Sequence, residues 1–368
     1  MAMQKDIIRK IILKKIEGLE KEIRKTPYHK GTEHHIGILK AKIARMRREL
    51  GERKEKEGGG GGSGYAIRKS GDASCVLVGP PSVGKSTLIN ALTEAKSKIG
   101  DYDFTTLGVI PGMMEYRGAK IQIFDLPGLV EGAAGGKGSG KKILSAIRGS
   151  DLVILISDVR RVNWLRKMKN ELYEAGIRLN QELPRIKIKK TKRGGIKIID
   201  SFNCFWKETV IGVAQEFGIK NGEIIFQEPV ASIDQLIDVF SGNRAYLPAI
   251  EVINKIDQNV KLSSGKRILI SAKDKIGLNY LKKVIWRNLN LIRVYLKRRR
   301  SGKTDFTHPL ILKKDSRVLE AVETISSELA GQISKVLIWG PGAKFPGQSI
   351  PLSFPLQDET ILCFVKRL

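Results

Sequence analysis

Cysteine is scarce in this chain, and histidine is nearly as rare. None of the three cysteines stands in a CxxC or a mixed Cys/His pattern, and none of the four histidines has the spacing of a metal-ligand set. The sequence therefore excludes a disulfide framework and a zinc site of the usual kinds. We expect free or buried thiols in a reducing compartment at Cys75, Cys204 and Cys363.

Long apolar runs are also missing. No stretch approaches the ~18 uncharged apolar residues that a membrane-spanning helix needs. The first residues, "MAMQKDIIRKIILKK", interrupt their apolar positions with lysine or arginine, unlike the apolar core of a signal peptide. These absences favour a cytoplasmic protein that does not contact membranes.

Acidic residues are few relative to basic ones. The chain has 66 Lys and Arg against 38 Asp and Glu, a formal net charge of +28. Such an excess favours a polyanionic partner, because cations that neutralise phosphates release counterions. A ribosome or ribosomal RNA is the expected partner, and no feature indicates DNA specificity. A solvated lysine-rich surface, as in thermophilic proteins, is the alternative interpretation.

The N-terminal segment predicts a pair of amphipathic helices. Apolar residues recur every three or four positions on either side of "KTPYHKGTEHH", where Pro27 and Gly31 interrupt the pattern. A helical hairpin over residues 1–57 follows. The next residues, 58–70, are rich in glycine and predict a flexible linker. The two apolar faces comprise Ile8, Ile12, Ile16, Leu19 and Ile23, and then Ile36, Leu39, Ile43, Met46 and Leu50.

After the linker, short apolar runs alternate with helix-length segments. "ASCVLVG" (73–79) predicts a buried strand, and "VIPGMMEYRGAKIQIFDLPG" (109–128) predicts a hairpin that turns at Arg117 and Gly118. The alternation predicts an α/β fold with a doubly wound, mostly parallel sheet over residues 71–290. Further strands are expected within 151–158, 247–257 and 267–273.

Two segments add to this domain. The chain between the strands at 151 and 247 is longer than one crossover helix requires, so we expect an inserted α+β subdomain at about 178–240. Within it, "PRIKIKKTKRGGIKIID" (184–200) predicts a strongly basic hairpin, and helices are expected at 207–218 and 232–242. From Leu291, strand-like segments flank the run "KRRR" and one helix near 316–330, which predicts a C-terminal α+β module over 291–368.

"GPPSVGKST" (79–87) has the GxxxxGK[ST] spacing of a phosphate-binding loop. Gly79 and Gly84 let the backbone approach phosphates, which exposed N–H groups and the start of the following helix can bind. Lys85 is expected to bridge the β- and γ-phosphates, and Ser86 to offer its hydroxyl to Mg²⁺. The other expected contacts in this loop are Pro80, Pro81, Ser82, Val83 and Thr87.

"DLPG" (125–128) ends the strand after this loop and its helix. We expect Asp125 to hold Mg²⁺ through water. The Gly128 N–H is expected to reach the γ-phosphate and so to detect its loss.

"NKID" (254–257) indicates which base is bound. Asp257 can accept from the ring N–H and the exocyclic amine of guanine, and adenine lacks that amine, so the predicted ligands are GTP and GDP. Asn254 and Lys255 are expected to pack around the base and the loop. The backbone of "SAK" (Ser271, Ala272 and Lys273) is expected to meet the guanine oxygen.

The order of these four elements resembles that of the translation-factor class of P-loop GTPases. Two further segments make the resemblance more specific. "DYDFTTLGVIPG" (101–112) and "DLPGLVEGAAGGKGSG" (125–140) are similar to the switch segments of Obg-related GTPases. "TPYHKGTEHHIGILKAKIARMRREL", "GIRLN", "GNRAYLPAIEVINKID" and the tail "KFPGQSIPLSFPLQDETIL" resemble the developmentally regulated GTP-binding (DRG) proteins over essentially the whole chain. The resemblance implies a GTPase with a helical hairpin, an inserted domain and a C-terminal TGS (β-grasp-like) domain that associates with ribosomes or RNA.

The resemblance also implies residue roles. Thr106, or alternatively Thr105, is the switch threonine that ligates Mg²⁺ in the GTP state. With it, the implied catalytic residues are Lys85, Asp125 and Gly128, and the implied metal ligands are Ser86, Thr106 and, through water, Asp125.

Four positions bear on how the attacking water is activated. Leu129 stands where many GTPases carry a water-orienting glutamine, which implies slow intrinsic hydrolysis raised by a partner or a cation. Glu131 and Lys137 could assist the water or serve a conformational change. Some relatives that use K⁺ carry asparagine at the position of Ser82, and this departure weakens the expectation of a potassium site.

These features predict a Mg²⁺-dependent GTPase switch that hydrolyses GTP to GDP and phosphate and acts with ribosomes in translation. The alternative is an RNA- or ribosome-binding scaffold with GTP as a structural ligand, which Leu129 supports. An ATPase is opposed by Asp257. We expect a monomer, with a regulatory protein as a further candidate partner.

Overall fold

The computed structural model of the chain describes residues 2–57, 71–93, 110–126, 140–258, 265, 267–298, 302–326 and 328–366. The chain forms two compact units. The first unit joins Met1–Ser63 to Gln181–Tyr246, and the second joins Gly64–Asn180 to Leu247–Leu368. The N-terminal segment and the insertion, which are far apart in sequence, therefore belong to one unit. Within the described ranges, no helix has both the length and the apolarity needed to cross a bilayer.

The secondary structure follows in chain order. The helices are α1 (Ala2–Lys25), α2 (Glu33–Glu57), α3 (Lys85–Leu92), α4 (Gly140–Gly149), α5 (Trp164–Glu174), α6 (Lys207–Glu216), α7 (Ile233–Ser241), α8 (Leu278–Asn288), α9 (Val318–Ile325) and α10 (Leu329–Gln332), with a 3₁₀ turn at Ile256–Gln258. The strands are β1 (Ala73–Val78), β2 (Ile110–Tyr116), β3 (Ala119–Asp125), β4 (Leu152–Asp158), β5 (Ile177–Leu179), β6 (Ile186–Lys190), β7 (Ile196–Ile199), β8 (Gly222–Phe226), β9 (Ala245–Leu247), β10 (Ala249–Asn254), β11 (Ile268–Leu269), β12 (Leu291–Lys297), β13 (Thr304–Lys313), β14 (Ile333–Trp339), β15 (Gln348–Ile350) and β16 (Thr360–Lys366).

A six-stranded sheet forms the centre of the second unit, in the order β11-β10-β4-β1-β3-β2. Neighbouring strands are parallel except β2, which runs antiparallel to β3. Every residue of β1 and β4 is buried, as expected for central strands of a parallel sheet covered on both faces. The predicted doubly wound α/β fold is confirmed, including the hairpin that turns at Arg117 and Gly118.

Helices cover the sheet and leave one edge open to loops. Cys75 and Leu77 of β1 share a core with Leu88 of α3 and Leu281 of α8. Against β4 packs α5, which buries Leu165, Met168 and Leu172. The carboxyl ends of the parallel strands β1, β3, β4 and β10 therefore meet at one edge, where doubly wound folds bind ligands.

The C-terminal module is a second sheet within the same unit. Its strand order is β13-β12-β16-β14-β15, with β12 and β16 parallel and the other neighbours antiparallel. Val318 and Val322 of α9 lie in the core of this module. The sequence predicted one helix here, and the structure has α9 followed by the short α10. Leu291 and Ile311 extend the core of the six-stranded sheet into the module.

In the first unit, α1 and α2 form the predicted helical hairpin. Ile16 of α1 and Ile36 of α2 are buried. Arg47 Nη2 donates to Glu20 Oε1 at 2.8 Å across the two helices. Of the predicted apolar face of α1, Ile16 is buried, whereas Ile8 is 39% exposed.

The insertion supplies a surface on which α2 packs. Helix α2 contacts α6 and α7, the two helices predicted in the insertion. Arg45 Nη1 lies 3.0 Å from Glu216 Oε2, and Lys40 Nζ lies 2.9 Å from Asp234 Oδ2. The amphipathic periodicity predicted the apolar face of α2, but it did not predict which elements would pack against that face.

The predicted basic hairpin at 184–200 is wrong. Strands β6 and β7 form as expected, but β8 lies between them, antiparallel to β6 and parallel to β7. Gly222 N donates to Gly195 O, and the Asn221 side chain accepts from Gly195 N, so the start of β8 holds the Gly-Gly turn. Alternating residues identify strands, but they do not show which later strand enters between them.

Candidate nucleotide-binding site

The loop between β1 and α3 depends on two glycines. A side-chain carbon at Gly79 would lie 2.4 Å from Ile156 O, so only glycine lets the loop pass this close to β4. Gly84 has φ +88°, and a side-chain carbon there would lie 2.5 Å from Asn254 Nδ2. Both predicted glycines are thus required by close backbone approaches as well as by the predicted phosphate contact.

Lys85 begins α3 and folds over this loop. Its Nζ donates to Gly79 O at 3.1 Å and to Pro80 O at 3.2 Å. The same atom lies 3.8 Å from Asp125 Oδ1. The ammonium is therefore held at the mouth of the loop by weak carbonyl contacts that a phosphate can replace.

The carboxylate of Asp125, the last residue of β3, faces Lys85 Nζ. Its Oδ2 accepts a hydrogen bond from Ser86 Oγ at 3.3 Å. Among the described residues its buried Oδ1 accepts no hydrogen bond. Burial raises the pKa of the Asp125 carboxyl, and Lys85 and Ser86 oppose this rise.

These oxygens fit a magnesium ion. Mg²⁺ takes oxygen ligands, keeps several waters and binds next to phosphates through one or two protein groups. The hydroxyl of Ser86 and the partly unsatisfied carboxylate of Asp125 supply that donor set beside Lys85.

Asn254 ties the phosphate loop to the segment that is predicted to recognise guanine. Its side chain is buried at the end of β10. Nδ2 donates to Val83 O, and Oδ1 accepts from Ala272 N, both at 2.9 Å. The Ala272 N–H predicted to meet guanine is therefore bound to Asn254 in this structure.

Lys255 braces the same loop from the solvent side. It has φ +65°, and its Nζ donates to Ser82 O at 2.6 Å. That ammonium also lies 3.8 Å from Asp158 Oδ2 at the end of β4.

Asp257 lies in the 3₁₀ turn that follows β10, where it is exposed. Its Oδ1 accepts from Ser271 Oγ at 2.8 Å. Ser271 is fully buried, and its hydroxyl also lies 3.0 Å from Asp274 Oδ2. Because a hydroxyl has one proton, it can donate to only one of these carboxylates at a time.

The structure thus brings the phosphate loop, Asp125 of the DxxG segment, and the NKxD and SAK residues to one edge of the sheet. Thr87 on α3 and Lys273 after β11 lie at the same edge and are exposed. The predicted switch residues lie outside the described residues: Thr105, Thr106, Gly128, Leu129, Glu131 and Lys137.

Two residues of this edge were not predicted from the sequence. Asp158, almost fully buried, lies between Lys255 and Arg161. Arg161 Nη1 donates to Pro81 O at 3.0 Å. Their position in the sequence could have identified them, because Asp158 ends a buried strand and Arg161 follows that strand, at the edge where ligands bind.

Known proteins resemble this chain over nearly its full length. The chain is 39% identical to human developmentally-regulated GTP-binding protein 2 over 97% of this chain and 100% of that protein. The chain belongs to the developmentally regulated GTP-binding protein family. A GTP-binding protein of Methanocaldococcus jannaschii is 41% identical over 96% of this chain and 93% of its own length.

Two family models match consecutive parts of this DRG family member. "50S ribosome-binding GTPase" matches residues 74–190, and the C-terminal region of that domain matches residues 193–291. The YchF GTPase of Schizosaccharomyces pombe aligns with 81% of this chain and 99% of its own, at 14% identity and a TM-score of 0.42. The protein binds guanine nucleotide and is a GTP hydrolase, as its family indicates.

Proposed function

We propose that this DRG family member is a Mg²⁺-dependent GTPase switch that acts with the ribosome in translation. The observation that carries the ribosomal part is a basic face on the inserted sheet. Lys187, Lys189 and Lys197 are exposed on β6 and β7, on the side opposite the apolar core. Glu223 of β8 is the acidic residue between Lys189 and Lys197 in the paired register. Lys190, the last residue of β6, and Lys192 and Arg193 of the following loop are exposed as well.

Two further facts support this proposal. The family model that matches residues 74–190 is described as a ribosome-binding GTPase. The net charge of +28 also favours a phosphate-rich partner over a small acidic ligand. A cationic sheet face supplies sequence-independent affinity for RNA phosphates, while the nucleotide state selects the geometry.

Each of the site residues would have a separate role in nucleotide binding or hydrolysis. Lys85 would exchange its contacts with Gly79 O and Pro80 O for the β- and γ-phosphates. Ser86 and Asp125 would hold Mg²⁺, which supplies positive charge to the phosphates when bound. Asp257, oriented by Ser271, would accept from guanine, and Asn254 would fix the phosphate loop relative to that base. We further propose that Thr106 and Gly128 respond to the γ-phosphate, as in other GTPases of this class.

Ribosome binding at several salt concentrations tests the partner. We compare the protein loaded with a non-hydrolysable GTP analogue and with GDP, using purified ribosomes and sedimentation. A triple variant, Lys187→Glu, Lys189→Glu and Lys197→Glu, should reduce the slope of log affinity against log salt by about 2 to 3.

The matched control reverses the charge of three exposed lysines in the second unit: Lys283→Glu, Lys335→Glu and Lys344→Glu. It makes the same change in net charge and should leave the slope close to that of the unmodified protein. Equal slopes for the two triple variants, or binding that does not depend on nucleotide or salt, would contradict the proposal.

A further inference from the structure

Two cationic side chains lie on consecutive carbonyls of the phosphate loop. Lys85 Nζ donates to the carbonyls of residues 79 and 80, and Arg161 Nη1 donates to Pro81 O at 3.0 Å. Lys85 occupies the position that contacts the β- and γ-phosphates in this class of loop. The guanidinium of Arg161 therefore contacts the residue that follows the two whose carbonyls hold Lys85.

The backbone of Arg161 is fixed while its side chain reaches solvent. Its carbonyl accepts from Ser157 Oγ at 2.7 Å and from Trp164 N at 2.9 Å. Its Nε lies 3.9 Å from Asp158 Oδ2, and the side chain is 43% exposed. A fixed base with an accessible tip is the arrangement that an arginine needs to move from a carbonyl to a phosphate.

The reaction needs such a charge. In GTP hydrolysis a water oxygen forms a bond to the γ-phosphorus and the bond from that phosphorus to the bridging oxygen breaks. The electron pair stays on the β-phosphate of GDP, and the protons of water pass to inorganic phosphate and solvent. Negative charge grows on the bridging and γ-oxygens, and Leu129 offers no polar group to orient the water.

We propose that Arg161 is a catalytic residue of this GTPase, a second intramolecular cation beside Lys85. In the transition state its guanidinium leaves Pro81 O and donates to the oxygens of the reacting phosphate. Asp158 orients Arg161 and Lys255 together, so the same carboxylate couples phosphate contact to the support of the loop. This inference is independent of the ribosomal partner, because it concerns the intrinsic reaction.

Single-turnover hydrolysis of bound GTP tests the assignment. Arg161→Ala should lower the rate at saturating GTP by at least about tenfold, as for other donors to transition-state charge. The GTP dissociation constant should change by less than about threefold, because the contact forms in the transition state. GDP with aluminium fluoride, a mimic of the transferring phosphate, should bind the unmodified protein and fail to bind Arg161→Ala.

Two further variants separate charge from folding. Arg160→Ala removes the neighbouring exposed arginine and should keep the rate. Arg161→Lys keeps the charge without the planar fork and should recover part of the rate. Thermal unfolding checks that each variant is folded. A rate loss below about tenfold in Arg161→Ala overturns the proposal. So does a loss accompanied by retained aluminium fluoride binding or by an equal loss of GTP affinity, because Arg161 would then only support the loop.

Discussion

Changing Asn254 to aspartate tests the bond that joins the phosphate loop to the segment predicted to recognise guanine. The amide is 2% exposed, donates to Val83 O and accepts from Ala272 N. A carboxylate keeps the acceptor for Ala272 N but turns its second oxygen toward the Val83 carbonyl. The change therefore removes one donor from a buried site and adds a charge there.

The magnitude follows from burial. An unsatisfied buried carbonyl costs about 1–3 kcal/mol, and an ionised buried carboxylate adds to this unless it takes up a proton. We expect Asn254→Asp to lower the free energy of unfolding by about 3–5 kcal/mol near neutral pH. GTP affinity should fall as well, because the loop loses its tie to the base site.

The loss should depend on pH. Burial raises the pKa of the introduced carboxyl in the folded state above its unfolded value of about 3.9. Below the unfolded pKa the protonated group can donate to Val83 O, so the loss is small. As pH rises through the folded pKa, the folded state must release the proton and stability falls.

Urea unfolding at acidic and neutral pH measures both effects, with GTP titration alongside. Asn180→Asp is the matched control, because Asn180 donates to Ala249 O at 2.9 Å and accepts from Ala249 N at 2.7 Å at an exposed position. Water can replace those bonds, so we expect a loss of about 1 kcal/mol, nearly independent of pH, and unchanged GTP affinity. Equal losses of unfolding free energy in the two variants, or a loss in Asn254→Asp that does not depend on pH, would refute the reasoning.

Two more changes address the predicted metal and base sites. Because burial raises the pKa of Asp125, ionising it costs stability as pH rises through that pKa, so Asp125→Asn should stabilise the nucleotide-free protein near neutral pH. Thermal unfolding with and without GTP and Mg²⁺ should show this gain together with a loss of Mg²⁺-dependent stabilisation, and a destabilised nucleotide-free protein would be evidence against it. Ser271→Ala removes the bond to Asp257 and should weaken GTP binding about five- to tenfold, which corresponds to about 1 kcal/mol. Ser150→Ala removes a buried serine bond to Ile147 O elsewhere and should leave GTP affinity unchanged, so equal affinities in both variants would show that Ser271 does not orient Asp257.

The sequence predicted the sheet and the candidate site because their signals are local. An apolar run that ends in glycine marks β1 and its loop, and the strand ends carry Asp125 and Asn254. Parallel strands then bring these residues to one edge without further information.

Long-range packing was not predictable in the same way. The residues of β6 and β7 alternate as a hairpin would, yet β8 separates them after an intervening helix. The apolar face of α2 gave no sign that α6 and α7 would cover it. Arg161 lay in a short basic run whose local pattern does not distinguish a contact with Pro81 from a solvated surface.

The rate of GTP turnover with and without purified ribosomes tests the central claim most directly. The protein is assayed with Mg²⁺ beside Lys85→Ala, which removes the ammonium from the phosphate loop. The account predicts slow intrinsic hydrolysis that ribosomes raise several-fold and that Lys85→Ala abolishes in both conditions. A rate that ribosomes leave unchanged, or that equals the rate of Lys85→Ala, would contradict it.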